Sequence, residues 1–133
     1  MKPLEWLLAA AAALAAPALH AAGFMPADIL KIQTVSDPSF SPDVRTLVYS
    51  VTVADTGKDE ETSDLWTVPL KGGTPTRITQ TAHSEWQPVF APDGRTVYFL
   101  SDAGEQGSTQ VWRMAVGGKP EVVTRFGQDI EDF

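Results

Sequence analysis

The chain contains an internal repeat, and this repeat restricts the possible folds more than any other feature of the sequence. Residues 40–49 read FSPDVRTLVY and residues 90–99 read FAPDGRTVYF, at an offset of about 50 residues. Further along, residues 65–68 (LWTV) match residues 111–114 (VWRM) at an offset of about 45 residues. The offsets differ because a hairpin tip expected at residues 54–62 is longer than its counterpart in the second copy. A unit repeated at this period is expected to bury apolar side chains against its own copy.

Short strands and tight turns make up each copy of the repeat. Residues 47–53 and 96–100 are rich in β-branched and aromatic residues, which favour extended strands. A Pro-Asp dipeptide precedes each run and a Gly-Gly pair follows later, and both are typical of turns. Four short strands in a repeat of about 45 residues are typical of a β-propeller blade. The sequence therefore predicts an all-β fold.

The repeat also predicts where the blades begin and end. We place the first four-stranded blade at residues 36–83, the second at residues 84–128, and the truncated start of a third at residues 129–133. Trp66 and Trp112 occur at matching positions of the two copies, which is typical of side chains that fill the space between blades. Because propellers close with about four to eight blades, we expect this chain to be a fragment of a longer one.

The turn that follows Pro42-Asp43 is predicted to be strained. In the second copy Gly94 occupies the position after Pro-Asp, where a glycine readily supplies a positive φ. Val44 occupies this position in the first copy. A β-branched residue resists positive φ, so this turn must either change its type or carry about 1–2 kcal/mol of strain.

The first residues have the layout of a secretory leader. Lys2 precedes an apolar run over residues 6–16, and small residues follow Pro17. A permanent membrane helix is the alternative, but the run is shorter than the ~18 residues that such a helix needs. We expect residues 1–21 to be removed during export. The mature chain would then be periplasmic or secreted, with no stable membrane span.

Residues 22–35 are expected to form a short helical lead-in to the first blade. Pro26 is suited to a first helical turn, and Leu30 and Ile32 lie roughly on one helical face. The Ser-Asp-Pro sequence at residues 36–38 is expected to end this helix.

The composition excludes several classes of function. Seventeen acidic and ten basic residues give a net charge of −7, which repels a nucleic acid backbone, so we expect no nucleic acid partner. The absence of cysteine excludes disulfide scaffolds, iron–sulfur clusters and thiol catalysis. The acidic residues at 55–61 lack the spacing of an EF-hand, so we interpret them as a solvated hairpin tip. We expect neither a metal nor a cofactor.

The repeated motifs resemble those of a known group of propellers. The Phe-(Ser/Ala)-Pro-Asp motif, the Trp-containing strand and the Gly-Gly turn resemble repeats shared by TolB and the prolyl oligopeptidase family. Residues 25–43 and 62–66 resemble the amino-terminal start of bacterial acylaminoacyl-peptidase or dipeptidyl-peptidase-like members of that family. The resemblance covers about residues 25 to 133. It implies that a hydrolase domain with a Ser-Asp-His triad follows the propeller downstream in the same chain.

The candidate contact residues lie between the two predicted blades. His83, Glu85 and Trp86 join the outer strand of one blade to the inner strand of the next, at a face or channel mouth where family members contact peptides. The alternative is a solvated connection, with Trp86 packed on a neighbouring blade. No Gly-x-Ser-x-Gly elbow occurs, and the mature chain has one histidine, so we expect no catalytic residue here.

Two functions remain after these exclusions. In the first, the chain is the substrate-gating propeller of an exported serine peptidase that hydrolyses short peptides, with its catalytic domain downstream. In the second, the complete protein is a non-catalytic, TolB-like periplasmic propeller that binds proteins. The leader and the helical lead-in favour the first. The downstream sequence distinguishes the two functions, because only the peptidase contains the Gly-x-Ser-x-Gly elbow followed by Asp and His.

Overall fold

The computed structural model describes residues 31–55 and 57–133. This part of the chain contains eight strands and a single 3-10 turn, and its architecture is all-β, as the repeat predicts. The strands are β1 (Thr34–Phe40), β2 (Thr46–Asp55), β3 (Glu60–Pro69), β4 (Thr76–Arg77), β5 (Glu85–Phe90), β6 (Thr96–Ser101), β7 (Gln110–Ala115) and β8 (Glu121–Val122), and the 3-10 turn is Glu105–Gly107.

The strands form two separate antiparallel sheets, each a four-stranded meander. Their orders are β1-β2-β3-β4 and β5-β6-β7-β8, so each copy of the sequence repeat is one sheet. Equivalent strands pair in equivalent registers: Leu47 pairs with Val68 in the first sheet, and Val97 pairs with Met114 in the second. The prediction of two propeller blades is therefore confirmed. We call the two sheets blade 1 and blade 2.

Residues 129–133 have no strand partner among the described residues, but their start is bonded to blade 2. The Thr109 amide donates to Asp129 Oδ1 at 2.8 Å, and the Ile130 amide donates to the Thr109 carbonyl at 3.0 Å. In blade 1 the amide of Ser63 similarly donates to Ser84 Oγ, at 3.3 Å. Their assignment to a third blade remains a prediction that these bonds support.

The predicted leader, residues 1–21, lies outside the described residues, as does most of the predicted helical lead-in. At the end of that segment the helical expectation is wrong, because β1 already begins at Thr34. The Ser-Asp-Pro sequence at residues 36–38 lies inside β1 and ends no helix. It forms a bulge, seen as a register shift between Ser36 and Ser39 in the pairing with β2.

The two blades share one hydrophobic core. Phe90, on the first strand of blade 2, is 9% exposed and belongs to the same buried cluster as Val48 and Leu65 of blade 1. Strand β5 packs against β1, β2 and β3, which brings this side chain onto blade 1. The repeat-equivalent residue Phe40 is 56% exposed, because the described residues include no blade on its side. The other cluster members are Val97, Phe99 and Met114, with Ile78 and the half-buried Trp112 packed against them.

The two Pro-Asp turns have the same conformation despite their different residues. Val44 has a φ of 53° and Gly94 a φ of 66°. The Val44 amide donates to the Ser41 carbonyl at 2.8 Å, and the Gly94 amide donates to the Ala91 carbonyl at 3.0 Å. The first turn therefore keeps its type, and Val44 carries the strain of a left-handed backbone.

Hydroxyl and amide groups hold the aspartates of these turns as anions. Ser41 Oγ donates to Asp43 Oδ1 at 2.7 Å, and this bond is the main reason that the pKa of Asp43 is lowered. The pKa of Asp93 is also lowered, chiefly by the amides of Thr96 and Arg95, which both donate to it at 2.8 Å. Asp43 and Asp93 thus each close their turn, because both accept from the amide two residues further along the chain.

The shared conformation predicts opposite effects for exchanging the two residues. Val44→Gly is expected to be neutral or stabilising, because relief of strain offsets the greater freedom of glycine in the unfolded chain. Gly94→Val should lower the free energy of unfolding by about 1–2 kcal/mol. A Cβ at position 94 would meet only Pro42 Cδ, at 3.6 Å, so the cost comes from the backbone. Denaturant melts of the complete protein measure both values.

Val116→Gly is the matched control, because Val116 lies in an exposed turn and has no positive φ. This substitution relieves no strain and should cost about 0.5–1 kcal/mol. A loss of stability in Val44→Gly equal to that of the control would contradict the strain assigned to Val44.

Candidate functional site

The segment between the blades positions the three predicted contact residues. It leaves β4, the outer strand of blade 1, and enters β5, the first strand of blade 2. The His83 side chain is 48% exposed, and its Nδ1 lies 3.4 Å from Asp102 Oδ1. The Ser84 amide donates to the same carboxylate oxygen at 2.9 Å. His83 is thus an accessible side chain fixed beside the end of β6.

Trp86 is half-buried and pairs with Leu100 across β5 and β6. It is followed by a bulge in β5, since the register shifts between Trp86 and Val89. The fold therefore brings His83 and Trp86 to one place, where the segment between the blades enters β5. We call this place the junction. Neither is buried completely, so both remain candidates for contact with a peptide.

Glu85 lies inside the junction and not at its surface. Only 1% of this residue is exposed among the described residues, so a peptide does not reach it in this arrangement, and its role as a substrate contact stays a prediction. The Thr81 hydroxyl donates to Glu85 Oε1, and Glu85 Oε2 has no hydrogen-bond partner. Burial raises the pKa of Glu85, although interactions with the hydroxyls of Thr81 and Thr79 oppose this shift.

Sequence reasoning missed a second buried carboxylate beside Glu85. Asp64 of β3 is 7% exposed, and its Oδ2 accepts from Arg77 Nη2 of β4 at 2.7 Å. Arg77 Nε donates in turn to the Thr79 carbonyl at 2.9 Å. The Thr79 hydroxyl accepts from the Leu65 amide at 2.8 Å. The one available signal in the sequence was an aspartate in the middle of a strand, directly before Leu65-Trp66.

Blade 2 fills the equivalent position with a neutral side chain. Gln110 takes the place of Asp64 and is 2% exposed. Its Oε1 accepts from Thr124 Oγ1 and from the Phe126 amide, both at 2.9 Å. The Thr124 hydroxyl accepts from the Val111 amide, as that of Thr79 does from Leu65. The charged network of blade 1 is thus a variant of a bonding pattern that the fold also builds without charge.

The first strands of both blades carry the same bulge. Asp37 in β1 has a φ of 52° and Gln87 in β5 a φ of 49°, and a proline follows each. Asp37 Oδ2 accepts from Ser50 Oγ at 3.1 Å and, across the blades, from the Gln87 amide at 3.3 Å. A groove of about 300 Å³ runs along these bulges. It is lined by Asp37, Pro38, Ser39, Gln87, Pro88, Val89, Asp132 and Phe133.

Neither a metal centre nor a membrane helix is found in the described ranges. No three His, Asp or Glu side chains among residues 31–55 and 57–133 are grouped so that they could hold a metal ion. In the same part of the chain, no helix has the length and apolar character needed to cross a bilayer.

The chain is similar in sequence to parts of known peptidases. The chain is 36% identical over 86 residues to dipeptidyl-peptidase 5 of Porphyromonas gingivalis, covering 65% of this chain and 12% of that protein. It is 33% identical over 91 residues to uncharacterized peptidase YuxL of Bacillus subtilis, covering 68% of this chain and 14% of that protein. No family model matches the chain.

Solved structures agree with this relationship. The isopeptidase AtxE2 superposes with a TM-score of 0.64 over 76% of this chain and 20% of its own, at 21% identity, which establishes the fold alone. TolB from Acinetobacter baumannii superposes with a TM-score of 0.52 over 70% of this chain and 22% of its own, at 26% identity.

The resemblance to the propeller segment of prolyl oligopeptidase family peptidases, with repeats like those of TolB, is therefore confirmed. The chain spans only 12% to 14% of the length of the two peptidases that it matches. The part that matches is the β-propeller.

Proposed function

We propose that this chain is the propeller of an exported serine peptidase of the prolyl oligopeptidase family that hydrolyses short peptides. The observation that carries the proposal is the 36% identity to dipeptidyl-peptidase 5 over 86 residues. The leader-like residues 1–21 support export. The nucleophile, base and orienting acid belong to a hydrolase domain elsewhere in the complete protein. This hydrolase domain is the partner of the propeller.

In this proposal the propeller restricts which substrates reach the hydrolase. Strands β1 and β5 come first in their sheets and contact each other, so their bulges form part of the wall of a central passage. A ring of such blades admits extended peptides and excludes folded proteins. His83 and Trp86 lie where one blade joins the next, and we assign them contacts with the passing peptide. The hydrolase then cleaves the peptide by acyl transfer to its serine.

A second candidate is a non-catalytic propeller that binds proteins. The similarity to TolB from Acinetobacter baumannii, at 26% identity, favours it. The two candidates have the same fold in the described residues, so they differ only in whether the complete protein has a catalytic serine.

The first experiment labels the complete protein with a serine-directed fluorophosphonate. We expect one labelled serine, outside residues 22–133, and hydrolysis of at least one acylated or dipeptidyl chromogenic substrate. Heat-denatured protein is the control and should not react. Labelling within residues 22–133 would contradict the assignment of the nucleophile to another domain. Absence of both labelling and hydrolysis would favour the binding propeller.

The second experiment tests the accessible histidine at the junction. His83→Ala should raise KM for a short peptide about three- to tenfold and leave kcat nearly unchanged, because the lost contact acts equally on substrate and transition state. Lys119→Ala is the control, since Lys119 is exposed in the turn between β7 and β8 at the opposite end of the strands. Equal kinetic constants for wild type and His83→Ala would exclude His83 from substrate contact.

A further inference from the structure

The junction of the two blades contains a buried carboxyl group that is not fully bonded. Glu85 is 1% exposed, and its Oε2 has no partner, whereas buried polar groups in native proteins are generally hydrogen-bonded. An ionised carboxylate in this position loses its hydration without gaining an equivalent set of donors. Ionisation of Glu85 is therefore unfavourable where it stands.

The charged groups around Glu85 do not supply a free counter-charge. From β3, Asp64 is also buried, and its negative charge disfavours ionisation of Glu85. From β4, Arg77 is bonded to Asp64 and to the Thr79 carbonyl. Beyond β6, Asp102 adds a second negative charge, and His83 on the connecting segment lies beside it at 3.4 Å.

Besides the shared hydrophobic core, three long hydrogen bonds cross between the blades near this junction. The Ser63 amide donates to Ser84 Oγ, the Gln87 amide to Asp37 Oδ2, and the Phe90 amide to Ser39 Oγ. All three distances are 3.3 Å, longer than a typical amide hydrogen bond of about 2.9 Å. The first of these bonds involves the residue next to Glu85. A change in the charge of Glu85 therefore acts close to hydrogen bonds that contribute little to stability.

The equivalent position after blade 2 is neutral. Ile130 takes the place of Glu85 at an offset of 45 residues, and Gln110 takes the place of Asp64 at an offset of 46 residues. The propeller fold consequently does not require an acidic pair between blades. In the part of the chain that the structure describes, the acidic pair lies between blades 1 and 2 and is not repeated at the end of blade 2.

We propose that Glu85 makes this junction sensitive to pH. With Glu85 neutral, the blades pack closely. When Glu85 ionises beside Asp64 and Asp102, the polar bonds that cross the junction open more often. The proposal concerns the blade contact alone and does not depend on the peptidase function.

The direction of the effect follows from the raised pKa of Glu85. In the unfolded chain a glutamate titrates near 4.5, and in the folded junction it holds its proton to higher pH. Glu85 therefore favours the packed state fully below pH 4.5. This contribution is lost as pH rises through the pKa of the folded state.

Hydrogen exchange of the complete protein tests the proposal. Exchange is measured from pH 5 to pH 8, corrected for intrinsic rates, at the amides of Ser63, Gln87 and Phe90. In wild type the opening constant of these amides should rise with pH. The rise is up to about tenfold for each unit by which the pKa of Glu85 in the folded junction exceeds that in the unfolded chain. Glu85→Gln should abolish the rise. Glu105→Gln, which neutralises an exposed glutamate, is the matched control and should behave like wild type.

A second variant keeps the test decisive if Glu85→Gln does not fold. Thr81→Val removes the exposed hydroxyl that donates to Glu85 and should move the opening transition to higher pH. An equal pH dependence in wild type and Glu85→Gln would overturn the proposal. So would an unchanged transition in Thr81→Val, or a rise that is equally large at amides that bond between β6 and β7, away from the junction.

Discussion

The packing of β5 onto blade 1 is the interaction on which the rest of this structure depends. Each blade is a small sheet, and neither sheet alone can enclose a core. Phe90 joins the side chains of both blades in one buried cluster. Its repeat-equivalent Phe40 is exposed, because no described blade packs against it. The position of every candidate contact residue follows from this packing, because the segment that carries His83 and Trp86 runs directly into β5.

The polar groups at the junction show how the same fold accepts different chemistry. A threonine near the end of each blade, Thr79 or Thr124, accepts from a strand amide, and a buried side chain on the neighbouring strand completes the network. Blade 1 uses Asp64 with Arg77 as counter-ion, and blade 2 uses the neutral Gln110. Glu85 adds a buried acid to blade 2 beside this network, and Arg77, the cation nearby, is already bonded to Asp64.

The repeat was sufficient to predict the two blades and the strained turn at Val44, because strand patterns and turn residues are local properties. The burial of Glu85 was not predictable in the same way. It depends on which side of β5 meets blade 1, and that is decided by packing between residues far apart in the sequence. The pairing of Asp64 with Arg77 was missed for a similar reason, since β3 and β4 bring together residues that the sequence separates by a long turn. At the lead-in, bulged pairing with β2 overrode a Ser-Asp-Pro sequence that locally resembles a helix stop.

A double-mutant cycle across the blades tests the central claim, that blade 2 is held by its first strand in the core of blade 1. The free energy of unfolding of the complete protein is measured for Phe90→Ala, Leu65→Ala and the double variant. Because both side chains belong to one buried cluster, their effects should be non-additive, with a coupling energy of about 0.5–3 kcal/mol. Additive effects, with a coupling energy near zero, would contradict the shared core and with it the arrangement of the junction.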